Sequence, residues 1–251
     1  MAKVVIDAGH GGTTDPGAVF EGRQEKDDNL RLALAVGQIL ENHGVDVVYT
    51  RTDDIYQRPI EKAQLANASG ADFFVSLHRN SSPQANQYSG VETLVYDNSG
   101  EKAEMAEAIN RELEGVGFQN LGVTERPGLI VLRRTQMPAV LVETGFINTE
   151  SDNRLFDEKF NEIAQAIADG ILAVAGNNPG VKLYRVQAGA FRNQEYAEDL
   201  LYQLLRADFP AYILREDNYY KVQVGAFRQL QNATRMEAAL RRQGYSTFIT
   251  T

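Results

Sequence analysis

The chain has 251 residues, no cysteine, three histidines and a formal net charge of −9, from 25 basic and 34 acidic side chains. This excludes disulfide scaffolds, cysteine–zinc clusters, iron–sulfur sites and thiol nucleophiles, and it argues against a general nucleic-acid binder. No apolar run approaches the roughly 18 residues that a membrane helix needs, so membrane insertion is not expected.

Charge is unevenly spread. Residues 1–175 carry 15 Lys and Arg against 27 Asp and Glu, whereas residues 176–251 carry 10 against 7. Such asymmetry suggests two units with different jobs. The N-terminus lacks the basic start and apolar core of an export signal, so either the chain is made without a leader or a leader has been removed.

In chain order, residues 3–8 read as a buried strand. A Gly-rich loop then leads to a helix over about 26–42, with Leu30 and Leu34, and Leu32, Val36, Ile39 and Leu40, at helical spacing and a stop at His43-Gly44. A strand at 46–50, a helix at about 59–69, an apolar strand at 71–77 and a more alternating strand at 91–96 follow. A helix covers about 101–114, 129–132 and 139–142 are strand candidates, and a helix at about 158–174 closes the unit. This alternation predicts an α/β domain with a mixed, mostly parallel sheet flanked by helices.

Gly176, Asn177, Asn178, Pro179 and Gly180 are five turn formers in a row and place a linker at 176–182, between domains 1–175 and 183–251. Beyond it the chain repeats itself. Tyr184-Arg185-Val186-Gln187-Ala188-Gly189-Ala190-Phe191-Arg192 recurs 36 residues on as Tyr220-Lys221-Val222-Gln223-Val224-Gly225-Ala226-Phe227-Arg228. Each copy is followed by a helical pattern (194–206 and 230–243) and a second strand (211–215 and 246–250). The unit is therefore expected to be a small α+β ferredoxin-like βαββαβ domain, two helices on one face of a four-stranded sheet.

Three strands end in residues that can do chemistry: Asp7-Ala8-Gly9-His10-Gly11-Gly12, Ser76-Leu77-His78 and Val142-Glu143-Thr144-Gly145. Ligands of open α/β sheets bind outside the carboxyl ends of strands. If these strands are parallel neighbours, His10, His78 and a carboxylate meet at one edge, and Glu25, just before the first helix, can reach it too. Two His and one Glu form a known ligand set for catalytic zinc. A phosphate loop is the rival reading of the glycines, but no G-x-x-x-x-G-K-S/T or G-x-G-x-x-G is present.

Six motifs in order then carry a resemblance. They are Asp7-Ala8-Gly9-His10-Gly11-Gly12, Asp15-Pro16-Gly17-Ala18, Glu25-Lys26-Asp27, Arg51-Thr52-Asp53-Asp54, the run from Ala71 to Asn80, and the run from Pro138 to Ile147. Residues 1–175 resemble the zinc-dependent N-acetylmuramoyl-L-alanine amidases of the amidase-3 type. The resemblance implies zinc (Zn2+) on His10, Glu25 and His78, with Glu143 as the catalytic carboxylate. The repeat is similar to a SPOR domain, a binder of peptidoglycan glycan strands lacking stem peptides. The pairing without a leader is similar to the mother-cell lysis amidases of endospore formers, which implies synthesis in the cytoplasm and action on the cell wall.

Each residue also has a plainer reading. His43 suits the negative end of a helix dipole. Asp7 is expected to orient the His10 loop, and Asn80 either contacts substrate or makes a turn. Arg79 departs from the family, which usually has a small residue there; it is expected to face solvent, with contact to an acidic stem peptide as the alternative. With only one clear helix between 79 and 138, an open site without a covering helix is expected.

In the repeat, strand alternation turns Val186, Ala188, Val222 and Val224 toward the helices. Arg185, Gln187 and Phe191, like Lys221, Gln223 and Phe227, share the other parity. Gln187, Gln223, Phe191 and Phe227 are the candidate glycan contacts, with strand-end core packing as the alternative for the two phenylalanines. The RNP pattern of an RNA-binding sheet is missing. Two rivals to the wall-amidase reading stay open: an inactive wall-binding protein, and a zinc peptidase acting within the stem peptide.

Overall fold

The computed structural model describes residues 2–176, 184–207, 209–216, 218–227 and 230–250, with only the backbone of Ala226. Of the expected linker 176–182, all but Gly176 lies outside the described residues. The described residues form two compact units.

In the first unit, β1 (Lys3–Ala8) leads through the glycine-rich loop to a short hairpin, β2 (Val19–Phe20) and β3 (Arg23–Gln24), and into α1 (Glu25–Asn42). There follow β4 (Asp46–Tyr49), α2 (Pro59–Ser69), β5 (Phe73–Asn80), β6 (Val91–Val95), α3 (Gly100–Val116) and β7 (Asn120–Glu125). The unit ends with α4 (Ile130–Arg134), β8 (Ala139–Phe146), α5 (Glu150–Glu158) and α6 (Phe160–Ala175). Among the described residues its sheet has six strands in the order β4-β1-β5-β8-β6-β7. β4, β1, β5 and β8 are mutually parallel, while β6 runs antiparallel to β8 and parallel to β7. The sheet is mixed and mostly parallel, as the alternation of elements predicts.

Period-2 alternation gives each strand two jobs. On one face Val5, Phe74, Leu94 and Leu141 form a buried cluster with Ala66 of α2 and Val131 and Leu132 of α4. Farther along the same face, toward the carboxyl ends of β1, β5 and β8, the residues turn polar: Asp7, then Ser76 and His78, then Glu143. The alternate residues Val4, Ile6, Val75, Leu77, Val140 and Val142 are fully buried on the opposite face. Burial on both faces is the usual condition of parallel sheets.

The β2–β3 hairpin and α5 add to the expected elements, and two further regions differ. Residues 130–132 belong to a helix, α4, with Leu129 as its N-cap, and not to a strand. The turn at Pro127-Gly128 reverses the chain, and Val131 and Leu132, adjacent in sequence, are both buried, whereas a strand would point them to opposite faces. The strand next to β6 is β7, an edge strand whose Asn-Leu-Gly-Val-Thr-Glu sequence has no apolar run.

The second unit comprises β9 (Tyr184–Phe191), α7 (Gln194–Arg206), β10 (Tyr212–Glu216), β11 (Tyr219–Phe227), α8 (Leu230–Arg242) and β12 (Phe248–Thr250). Its strands pair antiparallel in the order β10-β11-β9-β12, the expected βαββαβ arrangement. Val186, Val222 and Val224 are buried with Ala197, Leu204, Ala233 and Leu240 of the helices.

The parity rule fails past the middle of the repeat. On one side of the Gln187–Gln223 pair the next pair is Gly189 with Val222, so β9 carries one extra residue; on the other side it is Arg185 with Ala226, so β11 carries one extra residue. Such a bulge turns the following side chains over. Phe191 and Phe227 therefore pack against the core cluster and not on the face of Gln187 and Gln223. A Cβ on Gly189 would lie 2.6 Å from the Phe191 ring, and one on Gly225 would lie 2.9 Å from the Phe227 ring. The repeated glycine is the space into which each ring folds.

Candidate metal centre and its carboxylates

The loop after β1 turns sharply at His10, whose φ of 59° lies in the left-handed region that most residues avoid. Gly11 N–H donates to Asp15 O at 2.9 Å, closing the loop and bringing Asp15 beside the imidazole. His10 Nδ1 lies 2.7 Å from Asp15 Oδ1, leaving Nε2 toward the interior. The β2–β3 hairpin then delivers the start of α1, where Glu25 N–H donates to Ala18 O and Lys26 N–H to Pro16 O.

Glu25 is 4% exposed and lies between the two histidines. Its Oε2 is 3.3 Å from His10 Nε2 and its Oε1 is 2.9 Å from His78 Nδ1. The same carboxylate accepts N–H bonds from Ala18, Arg79 and the Asn29 side chain. One candidate ligand atom from each of His10, Glu25 and His78 lies within 4.8 Å of the others. Gly17 clears room for the group, since a Cβ there would stand 2.6 Å from Glu25 Oε2 and 2.7 Å from His10 Cδ2.

The electrostatics of this trio favour a cation. Burial would raise the Glu25 carboxyl, but hydrogen bonds and charge from His10 and His78 hold it well below the usual carboxylate range. Burial would likewise lower the His10 imidazole, yet Glu25 and Asp15 raise it to about 9. The trio thus keeps positive charge where a metal ion would sit. Two imidazoles and a carboxylate, one imidazole braced by a second carboxylate, are a donor set that fits a divalent metal.

Glu143 is the neighbour of His78 across the β5–β8 pair. Burial raises its carboxyl to about 7, with the charges of Glu25 and Glu92 acting the same way against His78 and His10. Its Oε2 is buried and has no hydrogen-bond partner among the described residues. A carboxylate poised near neutrality with a free oxygen beside a metal-type cluster can serve as general base and acid.

Beneath the loop, Asp7 does not touch His10. It pairs with the buried Lys62 at 2.8 Å and accepts hydrogen bonds from Thr50 and Ser76. Burial opposes its ionisation, but Lys62 and these hydrogen bonds hold it below the usual carboxylate range. Lys62 also donates to Ala8 O, and Arg51 donates to the carbonyls of Ala8, Gly9 and Lys26, tying the His10 loop to the start of α1. Asn80 donates to Glu92. His43 lies outside the cluster.

Arg79 is a correction. Its side chain is fully buried, pairs with Asp28 at 2.7 Å, donates to Asn153 Oδ1 at 2.8 Å and lies 4.1 Å from the centre of the Phe156 ring. A guanidinium can be buried here because Asp28 of α1 and Asn153 and Phe156 of α5 supply charge, an acceptor and a ring face. Sequence reasoning also passed over Asp15 and Glu92. Asp15 lay within a quoted motif, and Glu92 shares the face of Leu94 in a strand already recognised.

In the second unit, Gln187 and Gln223 line a cavity with Arg185, Arg215, Lys221 and Thr250. Gln223 Oε1 accepts from Tyr212, and Gln187 Nε2 donates to Gly189 O.

The sheet edge, a His-Glu-His trio that fits a divalent ion and the adjacent carboxylate give an α/β domain with a candidate hydrolase site. Comparison with known proteins narrows the class. The N-acetylmuramoyl-L-alanine amidase family matches residues 4–173, and the SPOR domain matches residues 180–251. The chain belongs to the N-acetylmuramoyl-L-alanine amidase family and ends in a SPOR domain. It is 36% identical over 225 residues to the sporulation-specific N-acetylmuramoyl-L-alanine amidase of Bacillus subtilis, covering 86% of each chain. It is 37% identical over 226 residues to the amidase CwlM of Bacillus licheniformis, covering 87% of each. The solved catalytic domain of the amidase CwlV from Bacillus (Paenibacillus) polymyxa superposes with a TM-score of 0.63 at 39% identity, over 69% of this chain and 97% of that one. No described helix is long and apolar enough to cross a membrane.

Proposed function

We propose that this chain is a zinc-dependent peptidoglycan hydrolase that cleaves the amide between the lactyl group of N-acetylmuramic acid and L-alanine. Residues 1–175 form the catalytic domain, 176–182 the linker and 183–251 a glycan tether. The observation that carries the reading is the free, buried Oε2 of Glu143 beside a His10–Glu25–His78 trio that fits a divalent ion.

His10, Glu25 and His78 would hold the zinc. When bound, it supplies acidification of a water molecule and polarisation of the scissile carbonyl. Glu143 takes the proton of the attacking water and delivers it to the leaving nitrogen. Asp15 holds the His10 ring in one orientation, and Arg51 and Lys62 fix the loop that presents it. The sheet of the second domain contacts glycan through the partly exposed Arg185 and Lys221; Gln187 and Gln223, the expected contacts, line the same cavity but are buried. Likeness to the sporulation-specific relative supports action on the cell wall during sporulation.

Digestion of purified peptidoglycan tests this. The expected fragments are intact peptides with a free amino group on L-alanine, lost on chelation, restored by zinc and absent with Glu143→Ala. Cleavage between two stem amino acids would replace this reading with a peptidase. Zinc binding with no release would replace it with a wall-binding protein.

A further inference from the structure

Glu92 faces Glu143 directly across the antiparallel β6–β8 pair, and Glu143 faces His78 across β8–β5, so the three stand in one row at the sheet edge. Directly opposed residues put their Cβ atoms about 4.5–5.5 Å apart on the same face. The Glu92 carboxylate is fixed at both oxygens: Asn80 Nδ2 donates to Oε1 at 2.9 Å and Thr124 Oγ1 to Oε2 at 3.1 Å. Among the described residues no Lys, Arg or His pairs with it, although it is partly exposed. Two opposed carboxylates repel one another, and a third, Glu25, lies just beyond His78. A metal held by the trio would answer the charge of Glu25 at one end of the row. Among the described residues no cationic side chain answers Glu92 at the other.

We propose that Glu92 is the binding residue for the leaving amine, accepting the ammonium of the L-alanine-started peptide. This rests on the amidase reading above. In that reaction the amide C–N bond breaks and a C–O bond to the water oxygen forms. The nitrogen receives one proton through Glu143 and a second from solvent, since an α-amino group with a pKa of about 8 is mostly protonated at neutral pH. The products are a lactyl carboxylate and a peptide ammonium, so a positive charge arises beside Glu143, where Glu92 is held ready with spare lone pairs. Its two neutral donors fix the position of the carboxylate without neutralising it.

The test compares two probes on the full-length, zinc-loaded protein by calorimetry: L-alanyl-D-isoglutamine with a free amino group, and the same dipeptide N-acetylated. The wild type is expected to bind the free amine about tenfold more tightly. In Glu92→Gln the two probes should bind alike, with melting temperature and zinc content unchanged. A preference that survives in Glu92→Gln overturns the proposal, as does its absence in the wild type, an arm that needs no variant to fold. Glu143→Gln should keep the preference, which separates Glu92 from its neighbour. Failure of the amidase reading would show separately, as no release of L-alanine amino groups from peptidoglycan by the wild type.

Discussion

A methyl group on Gly9 and the imidazole of His78 would occupy the same space. Gly9 follows β1 and donates its N–H to Leu77 O at 3.0 Å, so neither backbone can easily retreat. Gly9→Ala should therefore displace His78 while leaving the core intact. Metal affinity is expected to fall about 10–100-fold, the usual effect of disturbing a ligand's support. Zinc content after dialysis, read beside a thermal melt, checks this; full zinc retention would show that the ring can move aside without cost.

Glu143→Gln keeps the shape of the side chain and removes its basicity. Turnover of peptidoglycan should fall by about 10²–10⁴-fold. Zinc content should stay at the wild-type level, because Glu143 lies outside the trio. A variant that loses both together would place Glu143 among the ligands.

Arg79→Met should destabilise the first unit by about 3 kcal/mol, the scale for breaking a buried ion pair, with Arg23 remaining as a second partner of Asp28. Urea unfolding measures it. A change under about 0.5 kcal/mol, ordinary for a surface position, would contradict the burial of the guanidinium.

Asp169 on α6 gives a pH signature away from the site. Burial raises its carboxyl from 3.8 to about 6, against a hydrogen bond from Gln165 and with the help of Glu112. The folded state thus holds this proton more tightly than the unfolded chain. Its contribution to stability is fully present below about pH 4 and is lost as pH rises through 6. Asp169→Asn removes the loss. With allowance for partial exposure, it should stabilise the protein by on the order of 1 kcal/mol at pH 7.5 and by nothing at pH 4. Equal melting shifts at both pH values would contradict the raised carboxyl.

In the second domain, Phe227→Ala should cost about 3 kcal/mol of stability, because the ring packs on the core. Arg185→Ala, at a partly exposed position lining the same cavity as Gln187, should leave the melt nearly unchanged and weaken capture of denuded glycan strands. The opposite pattern would return the phenylalanine to the binding face.

Much of this site was legible in the sequence because strand ends are legible. Apolar runs closing in Gly9-His10, Leu77-His78 and Val142-Glu143 can lie side by side at only one edge of a parallel sheet. What the sequence hid has local causes. Residues 129–132 have strand-like composition, and only the packing of α4 against α2 makes 130–132 helical. β7 takes its place from pairing with β6, which composition does not record. Arg79 looks like a surface cation until its acceptors arrive from α1 and α5, 51 and 74 residues away in sequence. The phenylalanines of the repeat defeated the parity rule through one extra residue in each of β9 and β11, which strict alternation cannot anticipate.

With zinc on the trio as proposed, the face that carries Phe74 at one end and His78 at the other makes the catalytic domain's lifetime a function of metal supply. An ion that binds only the native trio stabilises the fold by mass action, about 2.7 kcal/mol when its free concentration is a hundred times its dissociation constant. A chain starved of zinc is then more than idle. It unfolds more often and meets proteases sooner, so scarcity of the ion thins the population of an enzyme that dissolves walls.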